Sequence, residues 1–331
     1  MKTIAIVTGA TSGIGREFVR QLDGEYYGRI DEFWAIGRSE ERLAELAGST
    51  YAPVRTFALD LTQQASLDTL RAALAEEAVR ASSAGGADTP QETLSTRTAE
   101  PSAVQEAPAK EAARTVAPND SLRVGWLVNS AGFGRFGAFG APAASGDSEA
   151  SRTAVTGDAA TGSATAPGVD AQMVRLNCLA LTELCEMTLT YMGPGSRIVN
   201  MASVAAYLPI SPMATYAATK RFVLDVTRAL NEDLRGTNIH ACAVCPKAVR
   251  TRFWDEAGKA SGIGFAFGTE SAYDVVRKAI AAVERGAGSI ITSPDMKLAC
   301  AAAKVLPYPA LAQAARLATK LQARRSPGQA R

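Results

Sequence analysis

Seven short apolar runs, separated by longer segments of helical pattern, constrain the fold of this chain more than any other feature. The runs are rich in Val, Ile and aromatic residues and are bounded by Gly, Asp or Pro, as buried strands are. Their apolarity is continuous rather than alternating, which is typical of strands covered on both faces by crossover helices. They span residues 3–8, 33–37, 54–59, 124–129, 197–202, 238–245 and 289–293. The pattern predicts an α/β fold with a single, doubly wound parallel sheet of about seven strands and helices on both faces.

Two polar segments interrupt this alternation. Residues 81–120 and 140–168 combine Ala, Ser, Thr, Pro and Gly with scattered charges and carry few large apolar side chains. Neither segment buries enough surface to offset its ordering entropy, so we interpret both as flexible surface insertions. We therefore predict one domain over residues 1–331 rather than two. Partner binding by the insertions is the alternative that composition leaves open.

The C-terminal extension, residues 295–331, is predicted to form two short helices. The second places small and apolar side chains on one face and cations elsewhere. That face is formed by Leu311, Ala314, Ala318 and Leu321. We expect the extension to pack on the body of the protein or on a second subunit, and a membrane-surface helix with basic flanks is the alternative.

The overall composition narrows the class of protein. A hydrophobic content of 47% with 21% charged residues is typical of a globular protein. A formal net charge of +2 does not indicate the concentrated positive charge that binding to nucleic acid requires. No apolar run reaches the roughly 18–20 residues that span a bilayer. The N-terminal sequence argues against a signal peptide, so the five cysteines indicate reduced thiols in the cytoplasm.

The cysteines and the single histidine do not suggest a metal or redox centre. Cys242 and Cys245 are three apart on a predicted strand, so their side chains point to opposite faces and cannot share one metal. Cys178 and Cys185 share one face of a predicted helix and are expected in the core. His240 lies in the same strand as the first pair and is expected to be structural. No metal site is predicted.

A glycine-rich turn, TGATSGIG, follows the first apolar run and precedes a helical segment. Gly9, Gly13 and Gly15 allow close backbone approach, so that the helix N-terminus can face a pyrophosphate, although a plain glycine-rich turn is the alternative. Arg38 follows the second strand where a carboxylate would bind a ribose 2′-hydroxyl. A guanidinium there suits a 2′-phosphate, which favours NADP(H) over NAD(H), and Arg16 is a second candidate for this contact.

Further along, the sequence resembles the short-chain dehydrogenase/reductase family, which has a Rossmann-like fold. TGATSGIG is similar to the cofactor loop of that family, DLT (60–62) to its adenine-contacting strand end, and VNSAG (128–132) to its N-N-A-G motif with Ser130 in place of the second Asn. The resemblance covers residues 3 to about 254 and, more loosely, the seventh strand. The two insertions lie outside it.

The catalytic residues implied by the resemblance are Asn177, Ser203, Tyr216 and Lys220, the last two in a Y-x-x-x-K motif. Tyr216 would exchange a proton with a carbonyl or alcohol oxygen that Ser203 also binds. Lys220, on the same helix face as Tyr216, and an oxidised nicotinamide would together lower the pKa of the tyrosine. Lys220 would also hold the nicotinamide ribose, while Asn177 would position a water. The implied cofactor-binding residues are Gly9, Thr11, Ser12, Gly13, Ile14, Gly15, Arg38, Asp60, Leu61, Asn129, Ala131, Gly132, Tyr216, Lys220, Pro246, Val249 and Thr251.

The segment CPKAVRT resembles the P-G-x-V-x-T loop that the family places beside the nicotinamide. The backbone of Val249 and the hydroxyl of Thr251 are therefore the implied carboxamide contacts. Lys247 stands where the family has glycine. If this position needs a positive φ, lysine costs about 1 kcal/mol or more, so either the loop is reshaped or φ is negative. The cation of Lys247 would favour an anionic group on the cofactor or substrate.

Residues 252–268 follow, where the family has its substrate-binding lid. The apolar candidates for the pocket are Phe253, Trp254, Phe265 and Phe267, with Tyr207 and Leu208. They favour a bulky hydrophobic substrate, although packing of the lid on the body explains them equally well. We predict a cytoplasmic, homo-oligomeric (dimeric or tetrameric) NADP(H)-dependent oxidoreductase acting on a hydroxysteroid- or lipid-like carbonyl or secondary alcohol. The alternatives are a 3-oxoacyl-carrier-protein reductase and a non-catalytic NADP(H)-binding sensor or scaffold.

Overall fold

A computed structural model describes residues 1–85, 121–135, 168–208, 213–251, 268–307, 309–311 and 313. In this part of the chain seven strands form one sheet in the order β3-β2-β1-β4-β5-β6-β7, and every neighbouring pair is parallel. The strands are β1 (Lys2–Thr8), β2 (Glu32–Gly37), β3 (Val54–Ala58), β4 (Leu122–Asn129), β5 (Arg197–Met201), β6 (His240–Cys245) and β7 (Ser289–Ile291). The predicted doubly wound parallel sheet is confirmed.

In the described part of the chain, helices connect these strands in sequence, and the last helix follows β7. They are α1 (Gly13–Glu25), α2 (Glu40–Ala47), α3 (Gln64–Gly85), α4 (Val169–Val174), α5 (Leu181–Leu189), α6 (Ala214–Asp233), α7 (Ala272–Glu284) and α8 (Pro294–Val305). A π-helical turn, Arg175–Ala180, joins α4 to α5, and a 3-10 turn, Val204–Ala206, follows β5.

The sheet is buried on both faces, which explains the continuous apolarity of its strands. Ile4 and Ile6 of β1 belong to the cluster formed with α3, α5 and α6. Ala5 and Val7 belong to the cluster formed with α1, α2 and α7. Successive β1 residues thus pack on opposite layers, as the two-residue period of a strand requires.

The cysteines behave as predicted from this geometry. Cys242 packs in the cluster with α1 and α7, whereas Cys245 packs in the cluster on the other face of the sheet. All five cysteines are buried and free. Burial raises the pKa of both the Cys242 and Cys245 thiols to about 12, so neither is a ready nucleophile. The part of the chain that the structure describes contains no cluster of three or more potential metal ligands.

The first predicted insertion begins later than its composition indicated. Helix α3 continues to Gly85, because Ala81 still packs against the core. The Ser82 hydroxyl donates to the Ser121 hydroxyl at 2.9 Å, so the chain on either side of residues 86–120 meets at one point on the surface. Residues 86–120 themselves, and 140–167 of the second insertion, lie outside the described residues.

Helix α8 is the first of the two helices predicted for the C-terminal extension. Its Met296 and Cys300 are buried, whereas Leu298 is exposed, so the helix packs on the body through one face. Ala314, Ala318 and Leu321 of the second predicted helix lie outside the described residues. Among the helices that are described, none has both the length and the apolarity to cross a bilayer.

Candidate active site

The predicted site residues lie where the parallel strands end at one edge of the sheet. β1, β4, β5 and β6 are neighbours in the sheet. Their carboxyl ends lead into the glycine loop, the VNSAG segment, Ser203 and the loop that begins at Pro246. In open α/β sheets this edge is where ligands bind.

The glycine loop needs its glycines for two different reasons. Gly9 and Gly13 have φ of +65° and +53°, a region that favours glycine. Gly15 has no room for a side chain, because a Cβ there would collide with the carbonyl oxygen of Gly9. The loop therefore presents bare backbone, which is what close approach to a pyrophosphate requires.

Helix α1 begins within this motif, at Gly13, and has no side-chain cap. Its N-cap residue, Ser12, makes no side-chain hydrogen bond to the helix, and the first turn carries no acidic residue. The first-turn N–H groups and the positive end of the helix dipole thus suit a phosphate. The residues present fit the dinucleotide that the sequence predicts.

Arg38 lies beside the glycine loop. The Ala10 N–H donates to the Ile36 carbonyl at 3.1 Å, and a Cβ on Gly37 would lie 2.6 Å from Thr11 Cγ2. The exposed Arg38, which follows Gly37, therefore lies near the glycine loop. Arg16, the second predicted candidate for the phosphate contact, instead forms an ion pair with Glu45 of α2 at 2.7 Å.

The predicted adenine-contacting residues, Asp60 and Leu61, follow the end of β3. The backbone N–H of Leu59 donates to the Gly37 carbonyl at 2.9 Å, which brings this end next to that of β2. Leu61 is buried, while the exposed Asp60 accepts bonds from the Thr62 N–H and hydroxyl at 3.0 and 2.8 Å. Asp60 therefore shapes its own turn.

Thr8 fixes the turn after β4, a role that the sequence analysis missed. Its hydroxyl oxygen accepts bonds from the N–H groups of Ser130 and Ala131 at 3.1 and 3.0 Å. Asn129, a predicted cofactor contact, has a buried side-chain amide whose Nδ2 donates to Asn200 Oδ1 at 2.9 Å. Thr8 is the first residue of the TGATSGIG motif, but the motif does not indicate this contact with the turn after β4.

Asn177 lies in the π-helical turn and holds it in place. Its Nδ2 donates to the Phe133 carbonyl at 3.0 Å and to Thr219 Oγ1 at 3.1 Å, while its Oδ1 accepts from the Phe133 N–H at 3.2 Å. A Cβ on Gly132 would meet Asn177 Oδ1 at 3.0 Å and Lys220 Nζ at 3.4 Å. Gly132 therefore allows Asn177 and Lys220 to approach the same point.

Tyr216 and Lys220 lie on the face of α6 that is turned into the protein, and both are buried. Lys220 Nζ donates to the Met201 carbonyl at 2.8 Å and lies 5.7 Å from the centroid of the Tyr216 ring. Burial lowers the pKa of Lys220 to about 8 and raises the pKa of Tyr216 to about 12, while a hydrogen bond with Ser203 acts on the tyrosine in the opposite direction. The low tyrosine pKa expected from the sequence is thus not produced by the protein alone, because desolvation outweighs Ser203.

Ser203 begins the 3-10 turn after β5, and its Oγ accepts from the Ala205 N–H at 3.2 Å. Ser203 is also close enough to lower the pKa of the Tyr216 hydroxyl through hydrogen bonding, so two hydroxyls from different elements lie near each other. Two donors converging on one point can bind a carbonyl oxygen. This pair and Lys220 form the centre of the candidate site.

The loop from Pro246 to Thr251 connects this centre to the glycine loop. The Pro246 carbonyl accepts from the Val204 N–H at 3.1 Å, next to Ser203. At the other end of the loop, a Cβ on Gly13 would lie 2.8 Å from Thr251 Cγ2. Val249, the predicted backbone contact, is buried between these points.

The predicted pocket residues are only partly described. Phe253, Trp254, Phe265 and Phe267 lie outside the described residues. Tyr207 is buried in the core cluster, and its hydroxyl accepts from Arg228 Nη2 at 2.8 Å, while Leu208 packs partly buried against the same cluster. His240, at the start of β6, lies at the opposite end of that strand from Pro246 and is not part of the site.

Known proteins resemble this chain in sequence. The sequence profile of the family described as short chain dehydrogenase matches residues 97–262, half of the chain. Sulfoacetaldehyde reductase 2 of Chromohalobacter salexigens is 29% identical over 258 residues, which cover 76% of this chain and 75% of that protein.

Two solved structures share the fold. A short-chain dehydrogenase from Sphingobium yanoikuyae in complex with NADPH has a TM-score of 0.57 at 22% identity, covering 89% of this chain and 88% of that one. A short chain dehydrogenase/reductase from Burkholderia phymatum in complex with NAD has a TM-score of 0.59 at 20% identity, covering 90% and 92%. Since the profile match extends on both sides of Tyr216 and the sheet agrees with these structures, the chain belongs to the short chain dehydrogenase family of oxidoreductases.

Proposed function

We propose that this chain is an NADP(H)-dependent oxidoreductase that interconverts a carbonyl group and a secondary alcohol. The observation that carries the proposal is the group formed by the partly exposed Ser203 and the buried Tyr216 and Lys220, at the sheet edge that also bears the glycine loop. Buried titratable groups with shifted pKa values, brought together from separate elements, mark functional sites.

The chemistry assigned to the chain is proton transfer and binding. A bound nicotinamide dinucleotide supplies the hydride and, when oxidised, a positive charge. Burial keeps the Tyr216 Oη protonated at neutral pH, which is the form that can give a proton to a carbonyl oxygen. Ser203 Oγ binds the same oxygen, and Lys220 places a cation near the tyrosine. Asn177 supports this group by fixing the π-helical turn beside Lys220.

The preference for NADP(H) rests on Arg38. Its guanidinium follows β2 beside the glycine loop, and the two residues before it, Ile36 and Gly37, carry no carboxylate that would bind a 2′-hydroxyl. The related structures were solved with NADPH in one case and NAD in the other. The preference is therefore a proposal from the residues of this chain.

The proposed substrate is a bulky hydrophobic carbonyl or alcohol, as the apolar residues of segment 252–268 suggest. The relative named sulfoacetaldehyde reductase 2 points instead to a small anionic aldehyde as a second candidate. We retain homo-oligomer formation as a proposal, because Leu179 of the π-helical turn and Phe222 of α6 are large apolar side chains exposed on the protomer.

The deciding experiment is a substrate panel run with NADPH and NADH in parallel. It should contain hydroxysteroids and their ketones, long-chain carbonyls, a 3-oxoacyl carrier-protein thioester, and sulfoacetaldehyde with other short polar aldehydes. We expect turnover of bulky apolar substrates with a lower KM for NADPH. A preference for short polar carbonyls would refute the proposed substrate class, and cofactor binding without turnover of any member would favour the sensor or scaffold alternative.

A further inference from the structure

The lysine in the nicotinamide loop is accommodated without backbone strain. Among the residues that the structure describes, Asn238 is the one non-glycine residue with a positive φ. Lys247 therefore has the negative φ that the sequence analysis left as one of two possibilities. Because no conformational penalty offsets it, the contacts of this side chain determine what the lysine does.

Lys247 is held from two directions. Its backbone N–H donates to Glu270 Oε2 at 3.2 Å. Its Nζ lies 3.0 Å from Asp295 Oδ2 and 3.4 Å from Oδ1, at the start of α8. The Lys247 side chain is only 15% exposed, whereas Asp295 is 49% exposed, so the pair lies at the edge of the protein interior. The Asp295 carboxylate also accepts a hydrogen bond from Ser293 Oγ. The lysine charge is therefore compensated within the protein.

Glu270 supports the same loop along its backbone. Its N–H donates to the Ala248 carbonyl at 2.8 Å, and its carbonyl accepts from the Arg250 N–H at 3.3 Å. The buried carboxylate also accepts from Thr292 Oγ1 at 2.6 Å and lies 3.6 Å from Lys278 Nζ. Residues 247–250 are thus fixed to α7 and to the segment that precedes α8.

The opposite side of this loop faces the candidate site. Pro246 contacts Val204, next to Ser203, and Thr251 contacts Gly13 of the glycine loop. A displacement of residues 246–251 would therefore move a cofactor contact and the surroundings of Ser203 together. No other loop described above touches both.

We propose that Lys247 is a positioning residue, which through its ion pair with Asp295 holds the loop 246–251 against the glycine loop and the Ser203 turn. This inference rests on the proposed function, because it assigns the loop to a nicotinamide site. It also replaces the expectation that the Lys247 cation attracts an anionic ligand group, since Asp295 already neutralises that cation.

The test is a double-mutant cycle on the full chain with Lys247→Ala and Asp295→Asn. The dissociation constant for NADPH is measured by fluorescence, and kcat and KM are measured with the best substrate of the panel. Each single variant should weaken NADPH binding and lower kcat by about two- to fivefold, the range of a partly exposed ion pair. The double variant should lose no more than either single variant, because both remove the same contact.

Two further variants separate positioning from general destabilisation. Lys297→Ala removes an exposed lysine of α8, two residues after Asp295, and should behave as wild type. The charge swap Lys247→Asp with Asp295→Lys should recover part of the loss. Thermal midpoints should stay within about 2 °C of wild type in the single variants, as expected for so small an energy.

Wild-type binding and kcat in Lys247→Ala, or losses that multiply in the double variant, would refute this inference alone. Failure of the wild-type chain to bind NADPH or NADH would refute the proposed function and the inference with it.

Discussion

Lys220 Nζ lies 5.7 Å from the centroid of the Tyr216 ring, and both side chains are buried on one face of α6. Ser203 lies near the Tyr216 hydroxyl and opposes the rise in its pKa that burial causes. We predict that Tyr216→Phe folds, keeps NADPH affinity and loses turnover by about 100- to 10,000-fold, the usual contribution of a positioned acid or base. Steady-state kinetics and cofactor titration measure the two properties separately.

The control for this variant is Tyr26→Phe. The Tyr26 hydroxyl also donates a short hydrogen bond, 2.6 Å to Glu284 Oε1, but it lies at the opposite end of the sheet. This variant should keep full turnover. An active, purified Tyr216→Phe protein would disprove the assignment of the acid.

We predict that Lys220 makes the free energy of unfolding of the protein depend on pH. Its pKa is lowered by burial to about 8 from 10.5, so between these values the unfolded chain binds more protons than the folded chain. Stability from this residue therefore rises with pH across that window. Relative to Lys220→Met, the wild-type free energy of unfolding should increase by about 2 kcal/mol from pH 7 to 9.5.

Urea denaturation of both proteins at several pH values measures this difference. Lys297→Met changes an exposed lysine, so its free energy of unfolding should differ from that of wild type by the same amount at every pH. A constant difference between wild type and Lys220→Met would mean that Lys220 is not desolvated.

Cofactor preference should depend on Arg38. Arg38→Asp should raise the KM for NADPH by about 10- to 100-fold, the loss of a charge-assisted phosphate contact, and lower it for NADH. Arg42→Asp, an exposed site in the first turn of α2, is the matched control and should leave the NADPH/NADH ratio near the wild-type value. Equal effects of the two substitutions would show that only net charge matters.

Two glycines of the same helix should respond in opposite ways. Gly15→Ala places a Cβ against the Gly9 carbonyl, so it should destabilise the protein by about 2–3 kcal/mol and weaken cofactor binding. Gly24→Ala meets nothing within 4 Å and should stabilise the protein by about 0.5–1 kcal/mol. Thermal denaturation and NADPH titration of both variants give the answer, and an unaffected Gly15→Ala would argue against the tight loop.

The first insertion should be removable. Because Ser82 and Ser121 are joined by a 2.9 Å hydrogen bond, a short Gly-Ser linker can replace residues 86–120 without moving either end. The shortened chain should keep the NADPH affinity and the circular dichroism spectrum of the full chain, since loop closure changes by only about 0.6 kcal/mol for each doubling of length. Loss of folding would assign the segment to the domain core.

The strands were predictable because their apolar runs are buried on both faces, and the errors have local causes. The run 238–245 predicted a strand from its first residue, but Asn238 adopts φ of +59°, which no strand residue does, so β6 begins at His240. Helix α3 extends beyond the end of its apolar sequence pattern. Ala81 still packs on the core, although the residues around it resemble the insertion in composition.

Within the candidate site, the sequence indicated the glycine loop and the residues around Tyr216, because their motifs have fixed spacings. It could not indicate the direction of the Tyr216 pKa shift, which depends on burial. The contacts of Thr8 and Glu270 were not predicted, because they join positions more than 20 residues apart through the fold. The π-helical turn likewise depends on contacts of Asn177 with Phe133 and Thr219.

The strand order has a consequence for how the site comes into existence during folding. The glycine loop follows β1, whereas the loop from Pro246 to Thr251 follows β6, which pairs with β5 on the far side of β4. A fragment that ends before β6 therefore contains the glycine loop but lacks Pro246, Val249 and Thr251. We expect such a fragment to lack a complete cofactor site, because the contacts that complete it join segments far apart in the sequence.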